Sequence, residues 1–223
     1  MPRDHGRSPH HAETEETRRA ILHAARDLFT KLGYRAVTTR MVAEASGVKQ
    51  PLLYYHFADK EALYLEVQRE HTAASQAALE RIAARQNASV PERLRDVVHY
   101  LRQTHQQNMG LLFHEMRHEM SPQMQNALRN LFQTRIVEPI TAIFEDGIRS
   151  GFLRSPAAGG ISARMGTYLL LSSSSNLSTM ASREDETSQS SVFGKEREAI
   201  DAIVHTLMYG MVDHTTVEPE HVP

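Results

Sequence analysis

Apolar residues recur at three- and four-residue intervals through most of this chain, and that spacing indicates helices. The first such stripe consists of Ile21, Ala24, Ala25, Leu28, Phe29 and Leu32. Gly33 follows it as a stop signal, so we predict a first helix over residues 15–32. No segment shows the strict alternation of a strand, and the sequence therefore predicts an all-α fold.

Start and stop signals next define two short helices. Thr38 is a good N-cap for the first of them. Its inner face is predicted to consist of Met41, Val42 and Ala45. Gly47 suits a tight turn at residues 46–48, at a position where a Cβ would clash. The third helix, over residues 50–55, has Pro51 in its first turn, where the missing N–H group costs nothing.

Longer helices are predicted over residues 60–85, 91–107, 109–119, 122–150, 156–180 and 195–214. Asp59 caps the first of these helices, and Ser89 forms a capping box with Glu92 before the second. Ser121 caps the fourth, which Pro139 should kink because it removes one backbone hydrogen bond. Residues 1–13, 182–194 and 215–223 are polar and aperiodic, so we expect flexible tails and a mobile loop there.

Composition excludes several classes of chemistry. The 223 residues include no cysteine, which rules out disulfides, thiolate catalysis and cysteine-ligated zinc. No apolar run approaches the roughly 20 residues of a membrane span, and the first residues lack the apolar core of a signal peptide. We therefore expect a cytoplasmic protein without membrane contact.

Charge is unevenly distributed along the chain. The net charge is −2, yet residues 1–60 hold ten Lys and Arg against seven Asp and Glu, while the remainder holds fifteen against twenty. A basic N-terminal segment followed by an acidic remainder is typical of a nucleic-acid-binding protein with a separate partner domain.

The two short helices form a candidate helix-turn-helix, in which the second helix enters the DNA major groove while the first braces it. That second helix is only about two turns long. It is largely polar and aromatic, with Lys49, Gln50, Pro51, Tyr54, Tyr55 and His56. Core packing does not explain such a composition, whereas groove reading does.

The segment VTTRMVAEASGVKQPLLYYHFADKEAL at residues 37–63 closely resembles the signature of the TetR family of bacterial transcriptional regulators. With the preceding Leu-Phe-x-x-x-Gly-Tyr, the resemblance covers about residues 17–65. It implies a helix-turn-helix DNA-binding domain over residues 14–60 and a helical ligand-binding and dimerisation domain over residues 61–214. It also implies a homodimer on palindromic double-stranded DNA, a small-molecule inducer and repression.

The resemblance also implies roles for individual residues. Arg40 would reach a guanine from the bracing helix, because its fork of N–H donors matches O6 and N7. Gln50, Pro51 and Leu52 occupy the reading positions, although the family often has a small or hydroxylated residue in place of Leu52. Phosphate or flanking contacts are implied for Thr38, Thr39, Lys49, Tyr54, Tyr55, His56 and Lys60.

Some of these assignments have plainer alternatives. Tyr54 could be a core aromatic residue, and Lys60 a lysine that only faces solvent. Leu53 and Phe57 are expected in the core.

His114-Glu115-Met116-Arg117-His118 is an H-E-x-x-H sequence, which on a helix places two histidines on one face as zinc ligands. Glu138 lies about where some zinc proteases have a third ligand. The alternative function is therefore a zinc-dependent hydrolase. We disfavour it because 13 histidines make a chance match unsurprising and because no substrate-holding strand is predicted. We expect no enzymatic activity, no cofactor and no bound metal, with His114 and His118 a surface or packed pair. The alternative for these two histidines is that they bind a metal ion or a polar ligand group inside a regulator pocket.

The middle of the chain is the expected sensing region. A ligand pocket is predicted from His105, Met109, Phe113, Met116, Leu131, Phe132, Ile136 and Tyr168. Methionine side chains adapt to irregular apolar ligands, although such a stripe can equally be ordinary core. The last two helices are expected to pair with those of a second subunit as a four-helix bundle.

Overall fold

The computed structural model describes residues 9–104, 119–184, 200–202 and 204–205. Its regular elements are, in order, α1 Pro9–Ala36, α2 Thr39–Ser46, α3 Gln50–His56, α4 Lys60–Ala83, α5 Val90–Thr104, α6 Pro122–Phe132, a π-helical turn Gln133–Val137, α7 Glu138–Arg149, a 3-10 turn Pro156–Ala158 and α8 Ala163–Glu184. Residues 200–202 and 204–205 are also helical. Every regular element in these ranges is a helix, which confirms the predicted all-α fold. None of these helices is both long and apolar enough to cross a bilayer.

Side-chain caps fix several helix starts where the sequence predicted them. Asp59 accepts a hydrogen bond from the Ala62 N–H group at 2.7 Å. Ser89 and Glu92 form the reciprocal capping box, with the Ser89 N–H group donating to the Glu92 carboxylate at 2.8 Å. Each cap satisfies backbone N–H groups that have no partner within the helix. The predicted starts of α4 and α5 are therefore confirmed.

The first helix is longer than predicted. It begins at Pro9 rather than near residue 15, and Gly33 breaks it with a φ of 77° and a ψ of 167°. Residues 9–13, predicted as the end of a flexible tail, are thus helical. Gly33 ends the regular part as predicted, since its left-handed φ suits glycine alone.

Pro139 produces a π-helical turn. The ring of Pro139 would clash with the carbonyl group four residues earlier, and Pro139 has no N–H group to donate to it. The backbone widens into a π turn at Gln133–Val137, immediately before α7. The predicted helix over residues 122–150 is therefore two α-helices joined by this turn.

The predicted helix start at Pro156 is wrong. Pro156 opens only a 3-10 turn, which Gly159 ends with a φ of 82°. Gly160 follows, where a Cβ atom would lie 2.0 Å from the Arg154 carbonyl oxygen. The helix α8 begins at Ala163 and reaches Glu184, so residues 182–184 of the predicted loop are helical. Most of the predicted helices over residues 109–119 and 195–214 lies outside the described residues.

The chain divides into two compact units. The first consists of residues 1–72 and 112–131, and the second of residues 73–111 and 132–223. The core of the first includes Ile21, Phe29, Val42, Leu53, Phe57, Leu63, Met120, Met124 and Leu128. The core of the second includes Leu79, Leu94, Val97, Ile140, Ile143, Phe144 and Leu170.

Candidate nucleic-acid interface

The helix α2 is anchored by two buried residues, and its opposite face is open. The Thr38 hydroxyl oxygen accepts a hydrogen bond from the Met41 N–H group at 3.2 Å and so caps the helix as predicted. Val42 and Ala43 are buried. Ala45, predicted on the inner face, is exposed, because the helix turns Ala43 rather than Ala45 toward the core. Arg40, Glu44 and Ala45 form the exposed face of α2.

Gly47 sets the turn between α2 and α3 through its backbone angle. Its φ is 71°, and its N–H group donates to the carbonyl groups of Ala43 and Glu44. A Cβ atom built at Gly47 would meet nothing within 4 Å. The predicted steric clash is therefore wrong, and glycine is favoured here by the left-handed φ.

The helix α3 buries a single residue, Leu53. Its other large side chains are turned outward: Leu52 and Tyr54 are exposed, and Tyr55 is 76% exposed. Leu53 and Phe57 lie in the core as predicted, whereas the core alternative for Tyr54 is wrong. A seven-residue helix with this much outward apolar and aromatic surface is typical of a contact surface.

Hydrogen bonds between side chains connect the first turn of α2 with α3. The hydroxyl oxygens of Thr39 and Tyr54 are 3.0 Å apart. The Gln50 side-chain amide donates to the Thr39 hydroxyl oxygen over 3.5 Å. The side chains of Gln50 and Tyr54 are thus oriented from the neighbouring helix.

Arg40 projects from α2 beside an acidic partner. Its Nε atom lies 2.9 Å from a carboxylate oxygen of Glu44, one turn later on the same helix. Glu44 was not among the residues that the sequence reasoning selected. The four-residue spacing of an Arg and a Glu on one helix was the available signal.

Lys60 is held against the protein. Its ammonium nitrogen lies 4.2 Å from the centre of the Tyr34 ring and donates to the Arg35 carbonyl oxygen over 3.4 Å. Burial, followed by the nearby carboxylates of Glu61 and Asp59 among others, raises the pKa of Tyr34 to about 12. The alternative of a plain solvated lysine is therefore wrong.

None of the eleven side chains predicted to contact DNA is buried. Thr38, Arg40, Lys49, Gln50, Pro51, Leu52, Tyr54 and Tyr55 are exposed, and Thr39, His56 and Lys60 are half-buried. The His56 ring packs edge-on against Tyr55, with 5.2 Å between the ring centres. The structure thus brings the predicted residues together on α2, the turn, α3 and the start of α4.

The family model for bacterial regulatory proteins of the tetR family matches residues 21–67, the segment that builds this surface. This domain belongs to the TetR family. The match leaves the greater part of the chain, on the C-terminal side of residue 67, outside the family model.

Curated relatives match only a short stretch of this chain, about a quarter of its length or less. The transcriptional repressor AcnR of Corynebacterium efficiens is 40% identical over 57 residues, 26% of this chain and 30% of AcnR. The class A tetracycline repressor of Escherichia coli is 49% identical over 43 residues, 19% of this chain and 20% of that repressor. The transcriptional activator FasR of Mycolicibacterium smegmatis is 40% identical over 57 residues, 26% of each chain. The match therefore spans less than a third of each relative's length.

Solved structures extend the TetR likeness to the whole fold. A TetR-family protein from Rhodococcus RHA1 superimposes with a TM-score of 0.63 at 21% identity, covering 88% of this chain and 98% of that one. FadR of Bacillus subtilis, in complex with stearoyl-CoA, superimposes with a TM-score of 0.61 at 17% identity, covering 86% and 95%. Both helical units thus have the architecture of TetR proteins.

The residues predicted for a ligand pocket are only partly described. Leu131 is half-buried in the first unit, and His105, Met109, Phe113 and Met116 lie outside the described residues. In the second unit Ile136 is buried, Phe132 packs on the core, and the exposed Tyr168 donates its hydroxyl hydrogen to the Gln133 side-chain oxygen at 3.0 Å. A cleft of about 270 Å³ elsewhere in this unit is lined by Ala83, Ala84, Gln86, Arg93, Ala142, Asp146 and Arg149, none of which was predicted.

The predicted H-E-x-x-H sequence at residues 114–118 also lies outside the described residues. In the part that is described, no three His, Asp or Glu side chains converge as a metal site. Glu138, the suggested third ligand, is exposed at the first position of α7. No described contact therefore favours the hydrolase alternative for this chain.

Proposed function

We propose that this chain is a sequence-specific DNA-binding regulator of transcription that acts as a homodimer on a palindromic site. The observation that carries the proposal is the outward surface of α3, where Leu53 is buried, His56 is half-buried and the other five residues are exposed. A short helix of this kind, braced across a glycine turn, has the size and exposure needed to enter the major groove. We propose no enzymatic activity, and a cytoplasmic location where DNA is accessible.

Three kinds of contact are proposed for the reading residues. The Arg40 guanidinium donates to the O6 and N7 atoms of a guanine, and the Gln50 amide pairs with an adenine. Pro51 and Leu52 pack on thymine methyl groups. Phosphate and flanking contacts come from Thr38, Thr39, Lys49, Tyr54, Tyr55, His56 and Lys60.

A second copy of the chain is the proposed partner of α8. Met165, Tyr168 and Leu169 are exposed large side chains at i, i+3 and i+4 of this helix, a stripe typical of a helix-packing face. A two-fold dimer would place two recognition helices about 34–36 Å apart, one turn of DNA. Leu169→Glu should yield a monomer by sedimentation that keeps its helical circular dichroism but loses affinity for the palindrome.

Repression relieved by a small molecule is the proposed mode of control. AcnR and the tetracycline repressor are repressors, while FasR is an activator. Expression of a reporter gene placed behind the selected site therefore tests whether this chain represses or activates transcription. The stearoyl-CoA complex of FadR supports a ligand within the helical body. An inducer must bind the conformation that binds DNA and the conformation that does not with different affinities. Equal affinities would leave the equilibrium between the two conformations unchanged.

The deciding experiment is selection of bound duplexes from a random pool, followed by affinity measurements on the selected site. Arg40→Ala should weaken binding to that site about five- to 150-fold and change binding to random DNA far less. Arg129→Ala is the matched control, because Arg129 is an exposed arginine of the same unit that bonds only to nearby Asn126 among the described contacts. A pool without any enriched sequence, or equal losses for the two variants, would contradict the proposal.

A further inference from the structure

Glu44 is an unexpected neighbour for a residue proposed to read DNA. Its carboxylate accepts a hydrogen bond from the Arg40 Nε–H group at 2.9 Å, and the two side chains are 65% and 77% exposed. As an isolated surface pair this contact contributes little to stability. On a surface that faces a polyanion, the carboxylate also repels phosphate groups and weakens binding.

The position of the contact on the guanidinium explains how this carboxylate contributes to recognition. A guanidinium has five N–H donors, one on Nε and two on each Nη. Glu44 takes the Nε donor. No hydrogen bond among the described residues uses the two Nη atoms. The edge that they form presents two parallel N–H donors, which match the O6 and N7 acceptors of guanine.

We propose that Glu44 is a specificity-determining positioning residue, which acts by fixing the Arg40 guanidinium with its Nη edge toward the groove. This inference rests on the proposed function. Arginine has a large rotamer entropy, and a side chain already held in one orientation loses less of it on binding a base. A guanidinium held at Nε is also less able to swing onto a neighbouring phosphate, which would bind without reading sequence. Glu44 thus lowers the affinity for all DNA and raises the discrimination at one base.

Two substitutions separate these effects. Glu44→Gln removes the negative charge and keeps a side-chain oxygen that can accept from Nε, whereas Glu44→Ala removes both. Both variants should bind random duplex about two- to fivefold more tightly than the unmodified protein. Discrimination is the affinity for the selected site divided by the affinity for the same site with 7-deazaguanine, which lacks N7, at the Arg40-dependent guanine. This ratio should fall about two- to fivefold in Glu44→Ala and persist in Glu44→Gln.

A double-mutant cycle with Arg40→Ala tests whether Glu44 acts through Arg40. In the Arg40→Ala background, Glu44→Ala should leave the ratio unchanged, because the group that it positions is gone. Glu80→Ala is the matched control, since Glu80 is an exposed acid that accepts a bond from Gln76 one turn earlier. An unchanged ratio in Glu44→Ala alone would overturn the inference. Absence of sequence preference in the unmodified protein would instead overturn the proposed function.

Discussion

The hydroxyl groups of Thr39 and Tyr54 lie 3.0 Å apart and join the first turn of α2 to α3. The Gln50 amide donates to the same Thr39 oxygen over 3.5 Å. A hydroxyl group has one hydrogen to donate and can accept two. Either hydroxyl group can be the donor in the Thr39–Tyr54 pair. When Thr39 is the donor, the Tyr54 hydroxyl hydrogen is available for a DNA phosphate.

We therefore expect Thr39→Val to weaken binding to the selected site about three- to tenfold, the effect of one hydrogen bond. Valine keeps the shape of the side chain and removes the hydroxyl group. Thr39→Ser keeps the hydroxyl group and should stay within about twofold of the unmodified protein, well inside the loss expected for a hydrogen bond. Fluorescence anisotropy on labelled duplex measures both. Equal affinities for the valine and serine variants would show that the hydroxyl group is not used.

Lys60 should contribute to stability and to DNA binding at once. Its ammonium group lies over the Tyr34 ring, a contact of about 0.5–1 kcal/mol at partly exposed sites. We expect Lys60→Met to lower the free energy of unfolding by about that amount. It should also reduce the slope of log affinity against log salt by about one, because one phosphate contact is lost.

Tyr34→Phe keeps the ring and serves as the control for Lys60. It should leave the salt slope unchanged, whereas Lys60→Met alters it. Urea unfolding and affinity between low and moderate salt give the two readouts. If Lys60→Met lowers the stability but leaves the slope of log affinity against log salt unchanged, Lys60 has only a structural role.

Asp146 should support the second unit in a pH-dependent way. Arg93, whose side chain is only 7% exposed, donates to the Asp146 carboxylate at 2.6 Å. The Arg93 hydrogen bond is the main reason that the pKa of Asp146 falls below its usual value of 3.8. We expect Asp146→Asn to cost about 1–2 kcal/mol at neutral pH, less than a fully buried pair because Asp146 is 42% exposed.

The cost should shrink in acid. A carboxylate with a lowered pKa stabilises the folded state above its unfolded-state pKa, and this contribution disappears as pH falls through the folded-state value. The difference in unfolding free energy between Asp146→Asn and the unmodified protein should narrow below about pH 4. Asp96→Asn breaks the more exposed pair with Arg85 and should cost under about 1 kcal/mol. A pH-independent difference for Asp146→Asn would contradict this account.

Local signals in the sequence predicted the reading surface because its geometry is set locally. The Thr38 cap, the Asp59 cap and the Gly47 turn each depend on residues within four positions. The break at Gly159–Gly160 is the feature that the predicted helix start at Pro156 lacks, although two adjacent glycines are a common turn signal. The π turn at Gln133–Val137 was foreseen only as a kink, since Pro139 dictates an interruption and the surrounding packing selects its form.

Which segments of the chain make up the first unit could not be predicted from the sequence. Residues 119–131 were assigned to the sensing body, yet Met120, Met124 and Leu128 lie in the same core as Leu53 and Phe57. The apolar spacing of one helix does not specify which distant helix it packs against. The polar contact that accompanies this packing, between Glu61 and Ser121, joins residues 60 positions apart.

That contact predicts that the DNA-reading unit depends on residues far along the chain. The Glu61 carboxylate accepts hydrogen bonds from the Ser121 N–H group at 2.7 Å and from its hydroxyl group. Glu61→Gln replaces one acceptor oxygen by a donor, so it should cost about 1–2 kcal/mol of unfolding free energy.

Met124→Ala should cost about 2–5 kcal/mol, because the residue is buried in the core of the reading unit and leaves a cavity. Gln123→Ala, at an exposed position of the same helix, should be nearly neutral. The sharper test is a fragment of residues 1–72. Without residues 119–131 it leaves apolar surface of its own core uncovered, and we expect it to unfold at lower urea than the full chain and to bind the selected site poorly. A fragment as stable as the full protein would show that the contacts of Glu61 and Met124 are dispensable, and that the helix-turn-helix is complete in the segment that carries its signature.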